Sequence, residues 1–305
     1  MRRSRWPGPA SQTVGMVLVL PRNLAEHAGG RGRSQWVASL PAIVDGLRVR
    51  WSLEIGEPFQ PGGQTSWVAP ARHETFGDVV LKVACRHYEA LDEAQGLREW
   101  DGNGAIRLLL AEDVEESTAA LLLERCRPGN ALSREPGETQ DRVIAGLLRR
   151  LWKVPQQATS FRPLQQMCDQ WADACEQEAG EHLAGRDPGL VREGIALFRS
   201  LPRSAARHVL LATDLHADNV LAGEREPWLV IDPKPYVGDP TYDVLQHLLN
   251  CGGRLVEDPL DLVERLGELA GLDPARLALW LFARCVVAST DQPELFSVAR
   301  RLAPS

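Results

Sequence analysis

The sequence predicts an α+β fold in two lobes, and three observations carry that prediction. Apolar residues alternate with period two through much of the first half of the 305-residue chain, they recur at helical spacing through most of the second half, and Pro128-Gly129 separates the two regimes. A chain of this length buries a sizeable core and accommodates one large or two coupled domains. The expected division is an N-terminal extension over 1–30, partly disordered, a β-rich lobe over 31–126 and a helical lobe over 127–305. With 34 Lys+Arg against 41 Asp+Glu the net charge is −7, the wrong sign for a nucleic-acid footprint. No apolar run approaches the roughly 18–20 residues of a membrane span, so neither nucleic acid nor membrane is an expected partner.

The elements follow in order. RRSR before Val14 to Leu20 faintly imitates a secretory signal, but Gly15 and Pro21 interrupt or end the apolar run and no small-residue cleavage site follows; Met16 is the expected natural start. Trp36, Val37, Leu40, Ile43, Val44 and Leu47 fall at helical spacing, with Pro41 as an early-turn or break signal. Trp51, Leu53 and Ile55 then alternate with polar neighbours, Pro61 to Gly63 make a turn, and Thr65 to Pro70 and Asp78 to Ala84 read as strands. A helix over Tyr88 to Trp100 ends at Gly102 and Gly104, and strands follow near Ala105 to Leu110 and Thr118 to Glu124. Thr139 to Lys153, Pro163 to Leu183 and Asp187 to Leu201 read as helices. Between His208 and Asp232 three short apolar runs, VLLA, NVLA and WLVI, read as buried strands, and Asp239 to Leu302 is again helical. Six cysteines are scattered without a CxxC pair or zinc-ligand spacing, which fits reduced thiols, no structural metal and a cytoplasmic protein.

The densest chemical signal is TDLHADNV, Thr213 to Val220, followed by VIDPKPYVGDPTYD, Val230 to Asp243. Asp214 and Asn219 stand five apart, and Asp232 ends an apolar strand thirteen residues further on. Phosphoryl transfer from ATP needs a carboxylate to take the acceptor's hydroxyl proton and hard oxygen ligands for Mg²⁺, and this spacing supplies both. Lys82, in GDVVLKV, occupies the position from which a strand lysine reaches nucleotide phosphates. Glu89 and Glu93, four apart, are the candidate acidic partners, and the spacing before LREW favours Glu93. Gly62 and Gly63 offer backbone amides to phosphates, or simply make a hairpin turn. Glu124, Arg125 and Cys126 end an apolar strand and fit a connector whose backbone meets the adenine edge.

GEREPWLVIDPKPYVGDPTYD resembles the aminoglycoside phosphotransferases, specifically the branch of streptomycin 6-phosphotransferases and hydroxyurea phosphotransferases, and the resemblance runs from about Trp36 to Arg300. It implies a bilobal protein-kinase-like fold, with a smaller nucleotide lobe carrying Lys82, Glu93, Gly62, Gly63, Glu124 and Cys126. It further implies Asp214 as catalytic base, Asn219 and Asp232 as Mg²⁺ ligands, and Asp239 with Asp243 as an acidic pair bracing the loop. Many relatives have His two residues before the catalytic Asp; here that position is Ala212, and His216 is read as a hydrogen-bonding brace. The implied reaction is transfer from MgATP to a hydroxyl of a small acceptor, an aminoglycoside such as streptomycin, whose positive charge the acidic balance suits. Hydroxyurea or another metabolite on the same fold, and a nucleotide-binding pseudokinase, are the alternatives. The acids Asp258, Asp261, Glu264, Glu268, Asp291 and Glu294 are read first as solvated helix faces, and Trp152, Trp171, Trp228 and Trp280 as core. Oligomeric state is not marked in the sequence.

Overall fold

A computed structural model describes residues 18–29, 33–86, 91–115, 117–156, 160–182 and 186–304. The first seventeen residues, with the expected start at Met16, and the candidate Glu89 lie outside the described residues. The chain divides into two compact units, 1–86 with 110–123, and 87–109 with 124–305.

The first unit is built on a five-stranded sheet. Strands β1 (Leu53–Ile55), β2 (Ser66–His73), β3 (Gly77–Cys85), β4 (Leu108–Glu115) and β5 (Thr118–Glu124) lie in the order β1-β2-β3-β5-β4. The β2–β3 ladder pairs Val68 with Lys82 and His73 with Gly77, whose φ of +72° closes the hairpin. Period-two burial holds at Trp67, Ala69 and Ala71 on β2 and at Val79, Leu81 and Val83 on β3. Helix α1 (Arg22–Glu26) precedes the sheet. Helix α2 (Arg33–Arg50) contributes Trp36, Leu40, Ile43, Val44 and Leu47 to the same core and runs through Pro41 without breaking. A mid-helix proline removes one hydrogen bond. Five large buried side chains, each contributing about 1.5–3 kcal/mol of transfer free energy, outweigh it.

The second unit is mainly helical: α3 (Glu93–Trp100), α4 (Gly137–Leu151), α5 (Leu164–His182), α6 (Pro188–Ser200), α7 (Leu245–Leu249), α8 (Gly253–Glu257), α9 (Pro259–Ala270), α10 (Pro274–Ala288) and α11 (Leu295–Leu302). Asp187, Asp258 and Asp273 cap α6, α9 and α10 by accepting first-turn backbone N–H bonds. Helix α10 is the spine, with Leu277, Trp280, Leu281, Phe282, Cys285 and Val286 buried. It approaches α6 so closely that a Cβ on Gly194 would lie 2.5 Å from the Val286 side chain. Two short antiparallel ladders interrupt the helices. β6 (Val209–Leu211) pairs with β9 (Tyr236–Gly238), and β7 (Val220–Ala222) with β8 (Trp228–Val230). The three strands expected between His208 and Asp232 are β6, β7 and β8; β9 carried no apolar run and was not expected.

The unit division departs from the expected boundary at 126/127, because 87–109 packs with the helices. Trp100 Nε1 donates to Leu151 O at 3.0 Å, Ile106 N–H to Val230 O at 3.0 Å, and Arg225 to Gly102 O and Ala105 O. The strand expected to start at Ala105 starts at Leu108 instead, since Ala105 forms an isolated bridge to Val230.

Candidate active site

The two ladders of the helical unit bring the motif residues together. Pairing of β6 with β9 sets the ATDLH turn beside the DPKP turn, so that Lys234 N–H donates to Ala212 O at 2.8 Å and Thr213 Oγ1 to Lys234 O at 2.5 Å. Pairing of β7 with β8 does the same for Asn219 and Asp232, through Ile231 N–H to Asn219 O at 2.9 Å. Thr213 and Asp232, one in each loop, hold φ near +50°, a conformation that non-glycine residues adopt at a cost of order 1–3 kcal/mol and that clusters at functional sites.

Asp214 sits between these loops. Its carboxylate is paired with Lys234 Nζ at 2.7 Å, and its carbonyl accepts from Asn219 Nδ2 at 2.9 Å. That hydrogen bond uses one N–H of Asn219 and leaves its Oδ1 as an acceptor; this oxygen and the Asp232 carboxylate are hard-oxygen groups of the kind that could hold Mg²⁺. His216 caps the single turn Ala217–Asn219, its Nδ1 receiving the Asp218 N–H at 3.3 Å, which is the bracing geometry expected of it.

Behind the loop lies Asp243, fully buried. Oδ2 accepts from Ala212 N–H at 3.0 Å and Trp152 Nε1 at 3.0 Å, and Oδ1 from Thr213 N–H at 2.6 Å. Burial pushes its carboxyl up to about 6, against the opposing pull of these donors. The loop is therefore held through backbone N–H groups, which any residue except proline supplies at position 212. Asp239 does not share this task as expected. It caps the turn Pro240–Val244 through Thr241 N–H at 2.9 Å and ties that turn to α10 through Arg276 and Trp280 Nε1 at 2.7 Å.

A cavity of about 180 Å³ opens in front of Asp214, Thr213 and Lys234. Met167, Trp171, Tyr236, Tyr242, Gln246 and Arg284 complete its wall. Trp171, expected in the core, thus faces this cavity. The wall residues come from α5, β9, the turn before α7, α7 itself and α10; Tyr236 and Tyr242 lie with Lys234 inside the Val230 to Asp243 motif, whereas no local pattern marks Met167, Trp171, Gln246 and Arg284.

The other expected residues fall as follows. Lys82 and Glu93, in different units, are both buried charges, at 7% and 3% exposure. Gly62, at φ +77°, carries the Pro61 to Gly63 turn against α1: a Cβ there would lie 2.4 Å from Pro21 Cβ, and its carbonyl accepts from Asn23 Nδ2 at 2.8 Å. A Cβ on Gly63 would lie 3.1 Å from Ser66 Oγ. Packing alone accounts for glycine at 62. Burial would raise Glu124, but the Arg225 guanidinium, 2.9 Å from both its oxygens, and the Arg107 amide hold its carboxyl below the usual range. Its side chain is committed within the protein. Burial pushes the Cys126 thiol up to about 12, so it stays protonated.

Asp214 and Asn219 at kinase-type spacing, followed by Asp232 after a strand, in a chain with a β unit and a helical unit, match one class: a phosphotransferase that acts on hydroxyl groups. The chain belongs to the aminoglycoside/hydroxyurea antibiotic resistance kinase family, whose model matches residues 50–294. It is 34% identical over 279 residues to a hydroxyurea phosphotransferase of Kitasatospora aureofaciens, covering 90% of this chain and 80% of the relative. It is equally 34% identical over 284 residues to a streptomycin 6-kinase of Streptomyces glaucescens, covering 90% and 89%. Among solved structures it shares its fold with choline kinase LicA from Streptococcus pneumoniae, at TM-score 0.60, 14% identity, 87% of this chain and 97% of that one. The aminoglycoside phosphotransferase APH(4)-Ia, solved with ADP and hygromycin B, matches at TM-score 0.58, 15% identity, 87% and 100%. Among the described residues, no helix is long and apolar enough to cross a membrane.

Proposed function

We propose that the protein transfers the γ-phosphoryl group of MgATP to a hydroxyl of a small-molecule antibiotic. The observation that carries this reading is the Asp214 carboxylate, held by Lys234 at the mouth of a cavity and braced from behind by Asp243. The acceptor oxygen attacks the γ-phosphorus, the bond to the bridging oxygen of ADP breaks, and the hydroxyl proton passes to Asp214. Asn219 Oδ1 and the Asp232 carboxylate would hold Mg²⁺, which offsets charge on the phosphate oxygens when bound. Lys82 is the proposed phosphate ligand of the β unit, and Glu93 of the helical unit keeps its proposed part as an acid of the nucleotide site. Backbone groups of Gly62, Gly63, Glu124 and Cys126 keep their proposed part in nucleotide binding. The setting is cytoplasmic, where ATP is supplied.

The primary acceptor reading is an aminoglycoside such as streptomycin, supported by the streptomycin 6-kinase relatives. The second is hydroxyurea or a similarly small metabolite, supported by an equally similar relative. The test is acceptor-stimulated ADP release with mass spectrometry of the product, for Asp214→Asn beside wild type. Turnover in the variant should fall by about 10²–10⁴; wild-type turnover in it, or MgATP stabilisation of the protein without transfer to any acceptor, would end the reading.

A further inference from the structure

Of the two cations that line the cavity in front of Asp214, Lys234 and Arg284, one has no carboxylate partner among the described residues. Lys234 is neutralised by Asp214 itself. Arg162, Arg225, Arg254, Arg265 and Arg276 of the same unit each rest on a carboxylate. Arg284, half-buried on α10, has no carboxylate within ion-pairing distance among the described residues. Its guanidinium instead lies over the Trp171 ring, 4.7 Å from the centroid, on the side of the buried Tyr242. Neither neighbour carries a charge that would offset that of Arg284. A guanidinium on a cavity wall, with its planar fork of N–H donors, is suited to a carbonyl or carboxylate oxygen.

We infer that Arg284 is a specificity-determining residue of the acceptor site: it binds a carbonyl or carboxylate oxygen next to the acceptor hydroxyl and disfavours acceptors with a cationic group at that point. The inference rests on the proposed phosphoryl transfer at Asp214 and deepens its second acceptor reading. The substrate class is a small N-hydroxy amide, N-hydroxyurea or α-hydroxy acid. The oxygen accepts from Arg284 while the neighbouring hydroxyl hands its proton to Asp214, both residues lining the same cavity.

The experiment measures steady-state transfer from MgATP to hydroxyurea, glycolate, ethylene glycol and streptomycin, for wild type, Arg284→Met and Arg284→Lys. Wild type should use hydroxyurea or glycolate in preference to ethylene glycol. Losing a hydrogen bond to a charged group should raise KM for the preferred acceptor about ten- to hundredfold in Arg284→Met, with KM for ATP unchanged. Arg284→Lys, which keeps the charge without the planar fork, should recover part of that loss. A purely structural role would lower Tm and kcat in both variants and leave the order of acceptors as it was. That outcome, an unchanged KM in Arg284→Met, or a preference for streptomycin, overturns the inference while leaving phosphoryl transfer standing. Absence of transfer to every acceptor by wild type removes both.

Discussion

Two buried aspartates of the helical unit, Asp141 and Asp243, solve the same problem in opposite ways. Asp141 on α4 is surrounded by cations or potential cations: Arg254 at 2.6 Å, Arg265 at 2.8 Å and His247 at 2.9 Å, from α8, α9 and α7. Burial would raise its carboxyl, but these partners hold it well below the usual range. Cys251 lies close enough to complete a metal-like triad with Asp141 and His247, yet the two guanidinium groups already supply the counter-charge. Asp243 has only neutral donors, two backbone N–H groups and an indole, and its carboxyl rises to about 6. A charge that ties helices together can be matched by charges from those helices. A charge that positions a catalytic loop must hold the backbone itself, and backbone N–H groups carry no net charge to offset burial.

The largest expected effect that separates the two regions is on turnover. Asp214→Asn should lose about 10²–10⁴ in kcat without loss of Tm, whereas Asp141→Ala should do the reverse. Removing one member of a buried ion pair costs about 3–5 kcal/mol, and the Arg254 and Arg265 side chains, 34% and 31% exposed, place Asp141→Ala near the lower end. Urea unfolding measures that loss. A destabilised Asp214→Asn with a stable Asp141→Ala would break the distinction.

Next comes pH. The native Asp243 carboxyl is raised above its unfolded value of about 3.9, so the native state binds the extra proton between about pH 4 and 6 and stability falls as pH rises through that window. Two pKa units correspond to about 3 kcal/mol, and Asp243→Asn should flatten that slope. Asp141 is depressed, so its contribution is present above about pH 4 and lost below it, and Asp141→Asn should flatten the acid side instead. Urea unfolding at stepped pH checks both signs. The smallest expected effect is Trp152→Phe, which removes one donor from Asp243 and should cost about 1–3 kcal/mol with a further rise in its pKa.

Much of the site was legible because its residues are neighbours in sequence. Asp214, Asn219 and Asp232 fall within nineteen positions, and the intervening apolar runs place them at strand ends. The cavity wall was not legible, because Trp171 and Arg284 lie on helices whose amphipathic pattern is satisfied whether a side chain meets core or cavity. Asp239 was misread for a related cause: two acids four apart look like a pair, and only packing shows that one turns to the loop and the other to Trp280.

The sequence by itself determined the kind of chemistry and the two-unit architecture, since spacing and hydrophobic period are local quantities. Tertiary structure alone decided that 87–109 joins the helical unit, that Asp243 holds the loop through backbone N–H groups, and that Arg284 faces the cavity without an acid. Each of these depends on which distant surfaces meet, and on whether a buried charge finds a counter-charge there, neither of which the order of residues along the chain records.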